Sequence, residues 1–187
     1  MGSYARATNS GSFVWGDNST ATPVVSSANN QFTVRAAGGV RFFSNAATNA
    51  GVSLAPGGTA WAVISDRNVK KDFAAVDSVS ILEKLAALPI TQWHYNWEEK
   101  SVTPHIGPMA QDFKAAFYPG RDDKSISTLE ADGVAFAAIQ GLNEKVESGK
   151  LKAEMERQEL KAENAELKTQ LNELKVLIKQ LAATREK

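Results

Sequence analysis

The sequence predicts an α+β chain in three parts: a β-rich segment over residues 1–64, a compact mixed core over 65–131, and a long helix with a coiled coil over 132–187. Three observations carry this. From Tyr4 to Ile64 the charged residues are Arg6, Asp17, Arg35 and Arg41, whereas charge is dense beyond Ser65. Ile81, Leu82, Leu85 and Leu88 then recur at helical spacing. Finally, one position carries an apolar residue every seven from Ile139 to Leu181.

In the first part, Gly, Ala, Ser, Thr and Asn fill much of the chain between short apolar bursts. The bursts are Phe13-Val14-Trp15, Phe32-Thr33-Val34, Val40-Arg41-Phe42, Val52-Ser53-Leu54 and Trp61-Ala62-Val63-Ile64. Each has strand length and is bounded by turn formers such as Asp17-Asn18 and Pro56-Gly57-Gly58. Gln31 to Phe43 reads as two strands around Ala37-Gly38-Gly39. One chain of such strands buries little apolar area. Wrapped around identical neighbours in a β-prism or β-solenoid, it shares a core. A flexible Ser/Asn-rich linker is the competing reading, and the repeated aromatics argue against it.

In the second part, Val76 to Leu88 is a helix that Asp77 or Ser78 caps and Pro89 ends. Ile90 to Trp97 alternates, with Thr91, Trp93, Tyr95 and Trp97 on one side, which predicts a strand with an aromatic face. Gly107 to Phe117 is a strand end running into a short helix, with Met109, Phe113 and Phe117 on one face. Pro119-Gly120 ends that helix and Arg121 to Lys124 form a charged loop.

From Asp132 a helix is broken by nothing stronger than Gly133, Gly141 and Gly149. Ile139, Val146, Ala153, Leu160, Leu167, Leu174 and Leu181 occupy heptad position d. Asn143, Lys150, Arg157, Asn164, Leu171 and Ile178 occupy a, so the seam is weak at first and strong from Leu160. Glu156 with Lys161, and Glu163 with Lys168, have the spacing that favours parallel pairing between chains. A helix this polar has little reason to persist alone, so it predicts an oligomer. Asn164 at an a position fixes register and often accompanies dimers; the heptads leave the order open.

Composition excludes several classes. The 187 residues carry no net charge, so nothing calls for nucleic acid or an anionic membrane as partner. No apolar run is long enough to span a bilayer. The chain has no cysteine and only two histidines, His94 and His105, so no metal site and no cofactor are expected. The Gly-rich stretches lack a following Lys-Ser/Thr and are not phosphate loops. The N-terminus has no apolar signal core and starts in loop-like sequence, which reads as a piece of a longer protein.

At the join of the first two parts lies Ser65-Asp66-Arg67-Asn68-Val69-Lys70-Lys71-Asp72-Phe73. A serine hydroxyl becomes a good nucleophile when a base removes its proton, and a neutral lysine amine can be that base. Positions i and i+5 point apart on a helix and lie on opposite faces of a strand. Ser65 and Lys70 therefore meet only where the chain bends between them. The base must be the uncharged amine, which burial or neighbouring positive charge favours. Lys71 and Arg67 are at hand for the repulsion.

The Ser-Asp-Arg-Asn-x-Lys-Lys-Asp stretch resembles the opening of the S74 peptidase family, the C-terminal intramolecular chaperone and self-cleaving domain of phage endosialidase tailspikes and related fibre proteins. A second similar block is His105-Ile106-Gly107-Pro108-Met109-Ala110-Gln111-Asp112-Phe113, and a third runs from Asp132-Gly133-Val134 to Ala138-Ile139-Gln140. The resemblance implies a single-turnover serine endopeptidase with a Ser-Lys dyad, acting on its own chain. Ser65 would be the nucleophile, Lys70 the base and Ile64-Ser65 the broken bond. It implies a homotrimer whose partners are its own copies and the upstream fibre, on a virion tail fibre or a bacterial surface. A fibre tip with an idle dyad is the competing reading. His105 reads better as a structural hydrogen-bonding group than as one polarising the scissile bond. Gly107 is expected at a turn or a close backbone approach. Gln111 and Asp112 are expected as capping or core hydrogen-bonding groups, not catalytic ones.

Overall fold

The structure is a computed structural model and describes residues 2–118 and 122–185. The fold is mixed α+β with small sheets and a long C-terminal helix. The chain divides into two units, Met1–Phe73 and Ala74–Lys187.

In the first unit, β1 (Ala5–Arg6) pairs in parallel with β3 (Val24–Val25), and β2 (Phe13–Gly16) in parallel with β4 (Phe32–Arg35). Each partner lies 19 residues further along, Ala5 against Val24 and Phe13 against Phe32. Two successive coils thus stack with one offset, as in a solenoid. The corners repeat as well: Gly11 (φ 69°) and Asn30 (φ 57°) take the left-handed conformation at equivalent places. In-register pairing stacks Phe13 on Phe32, ring centroids 5.1 Å apart and planes 8° from parallel. The buried Ser26 hydroxyl ties the coils together by accepting from the backbone of Thr8 (2.9 Å) and Asn9 (3.1 Å).

Asp17 holds the opposite corner. It accepts from Arg35 Nε at 3.0 Å, from the Ser19 hydroxyl at 2.6 Å and from the Ala37 backbone. The Ser19 bond first, then that of Ala37, lowers its pKa from 3.8 to about 2. A lowered folded pKa means that this clamp is at full strength above about pH 4 and is lost as pH falls through about 2.

The two strands expected between Gln31 and Phe43 are present as β4 and β5 (Val40–Phe43), yet they do not pair with each other. β5 instead opens an antiparallel sheet with β6 (Gly51–Leu54) and β7 (Trp61–Val63). Ile64 falls just outside β7.

In the second unit, α1 (Ser78–Ala87) begins at Asp77, whose carboxylate accepts from Ser80 N at 2.9 Å. Of the two candidate caps, Asp77 is therefore the cap. The Ser78 hydroxyl donates to Glu144 at 2.6 Å instead. The helix stops at Leu88 because Pro89 disfavours the helical conformation of the residue before it.

The strand expected over Ile90–Trp97 is a correction: β8 covers only Thr91–Trp93 and pairs with β9 (His105–Gly107). Glu98 ends it by accepting the Tyr95 N–H at 2.8 Å, which takes that donor out of the ladder. Tyr95 and Trp97 then stack directly, 4.5 Å apart and 8° from parallel, instead of alternating along a strand.

Helix α2 (Ala110–Phe117) buries Phe113 against Leu88 and Val134, with Ile81, Leu85, Phe117 and Ile126 around them. Pro119, Gly120 and Arg121, the expected helix stop and the start of its loop, lie outside the described residues. Helix α3 (Thr128–Arg185) has 58 residues, about 87 Å at 1.5 Å each. It starts four residues before Asp132. Ser127 and Glu130 form a capping pair: the Ser127 hydroxyl bonds the Glu130 carboxylate and accepts from its backbone N–H.

Among the described residues the buried apolar side chains are Leu88, Phe113, Val134 and Ala138. Large apolar residues from Phe32 to Leu181 stay exposed, more than a finished surface carries.

Candidate functional site

Strand β7 delivers the chain, extended, to Ile64 and Ser65. Asp66 is extended as well (φ −63°, ψ 135°), and one turn of 3-10 helix follows at Arg67–Val69. Val69 N donates to Asp66 O at 3.3 Å and Lys70 N to Arg67 O at 3.2 Å. The Asp66 carboxylate accepts from Asn68 N at 2.9 Å and from Asn68 Nδ2 at 3.0 Å. Lys70 leaves the turn extended (φ −112°, ψ 152°). This is the bend that the spacing of five requires. Across it Lys70 Nζ donates to Ser65 Oγ at 2.7 Å. With the amine neutral, the same contact runs the other way, and nitrogen accepts the hydroxyl proton.

Both side chains of the pair are exposed, and no residue of the turn is buried. Lys71 turns to Asp72 at 4.0 Å, an exposed ion pair of little worth.

The histidines lie in the second unit. His94 Nε2 is 3.0 Å from Val102 O. His105 Nε2 is 3.1 Å from Glu98 Oε1, and its ring stacks on Trp93 at 4.6 Å. The bond to His105, with that from Tyr95 N, holds the Glu98 carboxyl below its usual range. The expected structural role for His105 matches this bond. Gly107 differs from expectation: it pairs with Thr91 in β9, and a Cβ there would lie 4.0 Å from Trp93 Nε1, an ordinary contact. Gln111 and Asp112 are exposed on α2 and do not bond within the core. Phe113 takes the inward position.

No group of three or more His, Asp or Glu among the described residues could hold a metal ion. Nor is any described helix long and apolar enough to cross a membrane.

Residues 65–120 match the Peptidase S74 family model, described as the chaperone of endosialidase. Over this segment the chain is similar to the S74 chaperone domain. Comparison with curated proteins and with solved structures gives no match. The S74 match opens on Ser65 and takes in the block from His105 to Phe113, whereas the block from Asp132 to Gln140 lies beyond it. The 19-residue coil and helix α3 also lie outside the matched residues.

The sequence singles out Ser65 and Lys70, which the structure brings into contact, but not the pair that shapes the turn. Asp66 and Asn68, two residues apart in a polar stretch, carry the signature of a side chain closing on the backbone two residues on. The 19-residue offset was missed because Phe13 and Phe32 are the one identical pair between the two coils.

Proposed function

We propose that this chain is an intramolecular chaperone that trimerises an upstream β-rich fibre and then releases itself by cutting Ile64-Ser65. The observation that carries the proposal is the 2.7 Å contact of Lys70 Nζ with Ser65 Oγ. The domains follow suit: 1–64 is the fibre end, 65–131 the chaperone core, and 132–187 the helix that gathers three chains. Gathering chains raises the effective concentration of β-segments whose long-range pairing is slow. The three-fold order follows the S74 family. The exposed leucine seam from Leu160 to Leu181 supports assembly as such.

Chemically, Lys70 takes the hydroxyl proton as Ser65 Oγ attacks the Ile64 carbonyl carbon. The C–N bond then breaks, and the proton passes from Lys70 to the leaving Ser65 amine. Ile64 is left as an ester on Ser65 Oγ. Water hydrolyses this ester, leaving Ile64 as a carboxylate and Ser65 as a free N-terminus. Nucleophile and carbonyl are neighbours in one chain, so the first step has the advantage of an intramolecular reaction. The base must be the uncharged amine, and neighbouring chains of the trimer supply the desolvation that favours that form. The cut thereby waits for assembly.

The second reading is a trimerising fibre tip whose dyad is idle. The exposure of both Ser65 and Lys70 favours it.

Intact-mass spectrometry of the purified chain decides between them. A new N-terminus at Ser65 is expected, absent in Ser65→Ala and in Lys70→Arg, where the guanidinium stays charged. Ser65→Cys keeps part of the activity. A trimer that stays whole supports the idle tip, and cutting that persists in Ser65→Ala removes the dyad.

A further inference from the structure

We propose that Asp66 is a positioning residue for the cut, acting as the hydrogen-bond acceptor that closes the turn between Ser65 and Lys70. The inference rests on the autoproteolytic reading of that pair. Five extended residues span roughly 17 Å, far beyond the reach of one lysine side chain. The pair therefore exists only while the turn does.

Little else holds the turn. Its helix is three residues long, and none of them is buried. Short 3-10 segments are poorly stabilised by their own bonds. The two backbone bonds here, at 3.3 and 3.2 Å, are longer than the usual 2.9–3.0 Å. The Asp66 carboxylate makes the two shorter ones, 2.9 and 3.0 Å, both to Asn68. One side chain thus fixes the backbone midway between nucleophile and base.

The carboxylate serves here through its oxygen, not its charge. A negative charge near lysine favours the ammonium form, the opposite of what a general base needs. An asparagine or serine at 66 keeps an acceptor without the charge, whereas alanine removes both.

The experiment has two arms. The first follows appearance of the Ser65 N-terminus by mass spectrometry in the full chain. Asp66→Ala is expected to slow the cut about two- to thirtyfold, the range that loss of an N-cap carries. Asp66→Asn and Asp66→Ser are expected to recover most of that loss. Alanine cutting at the parent rate, or asparagine as slow as alanine, overturns the proposal.

The second arm uses uncut chains carrying Ser65→Ala and reads the Asn68 backbone amide by NMR across the carboxylate pH range. Its shift is expected to titrate with Asp66 and to stop doing so when Asp66→Ala is added. An Asn68 amide indifferent to Asp66 overturns the proposal whatever the cutting rates. If the parent chain proves uncut while Asn68 follows Asp66, the protease reading fails and the acceptor role in the turn stands.

Discussion

Helix α3 is one element with two environments. In its first third Val134 and Ala138 are each 4% exposed, and Gly141 lies against α1 so closely that a Cβ would sit 2.2 Å from the Ser78 carbonyl oxygen. Further on, Leu160, Leu167, Leu171 and Leu174 are all more than half exposed, although their heptad spacing is the more regular. Regular apolar spacing therefore does not produce burial; a partner surface does. Near its start the helix finds that partner in its own chain, in α1 and α2. Beyond Leu151 the apolar seam stays exposed.

Breaking the second environment is expected to have the largest effect. Leu167→Lys with Leu174→Lys should turn the assembly into monomers in sedimentation, and the uncut chain should accumulate with it. An unchanged assembly would remove the coiled coil from the account, and efficient cutting by monomers would separate cutting from assembly.

Breaking the first environment is expected to cost stability without dissolving the seam. Phe113→Ala empties the centre of the Leu88–Val134 cluster and should cost about 3–5 kcal/mol in denaturant unfolding. Sedimentation below the midpoint should still report the oligomer. A loss under about 1 kcal/mol would mean that the cluster is not the core of this unit.

Two glycines sharpen the contrast at smaller scale. On propensity alone, Gly→Ala in a helix gains about 0.8–1.0 kcal/mol. Gly149 has open space at its Cβ, so Gly149→Ala should raise the unfolding midpoint. Gly141→Ala drives the new carbon into the Ser78 backbone and should lower the midpoint despite the same propensity gain. Equal shifts of one sign would mean that α1 and α3 do not meet as closely in solution.

The smallest effect is expected at Lys145, which pairs with Glu83 at 2.9 Å with both side chains about half exposed or more. Lys145→Ala should cost at most about 1 kcal/mol and less in high salt. A larger cost would mean that the α1–α3 contact depends on charge more than on Val134 and Ala138.

The candidate site divides in the same way. That Ser65 and Lys70 needed a bend was legible from their spacing. That Asp66 closes it was not, because an aspartate beside charged residues reads equally well as solvated surface. The expected strand from Ile90 to Trp97 failed for a related reason. Its alternation was real, but one side-chain bond from Glu98 to Tyr95 N outweighed the pattern after Trp93.

Features that depend on neighbours along the chain were legible before any fold was known. These are the α1 stop at Pro89, the heptads of α3 and the strand-length bursts before Ile64. Each follows from sterics or periodicity within a few residues. Which surfaces meet was settled by long-range packing. β4 joins β2 and not the adjacent β5, at an offset of 19 residues. Gly141, not Gly133 or Gly149, is where α3 presses on α1. Strand pairing and helix crossing draw on shape across long loops. Closing such loops costs an entropy that grows only slowly with length, so local sequence leaves many partners nearly equal until packing selects one.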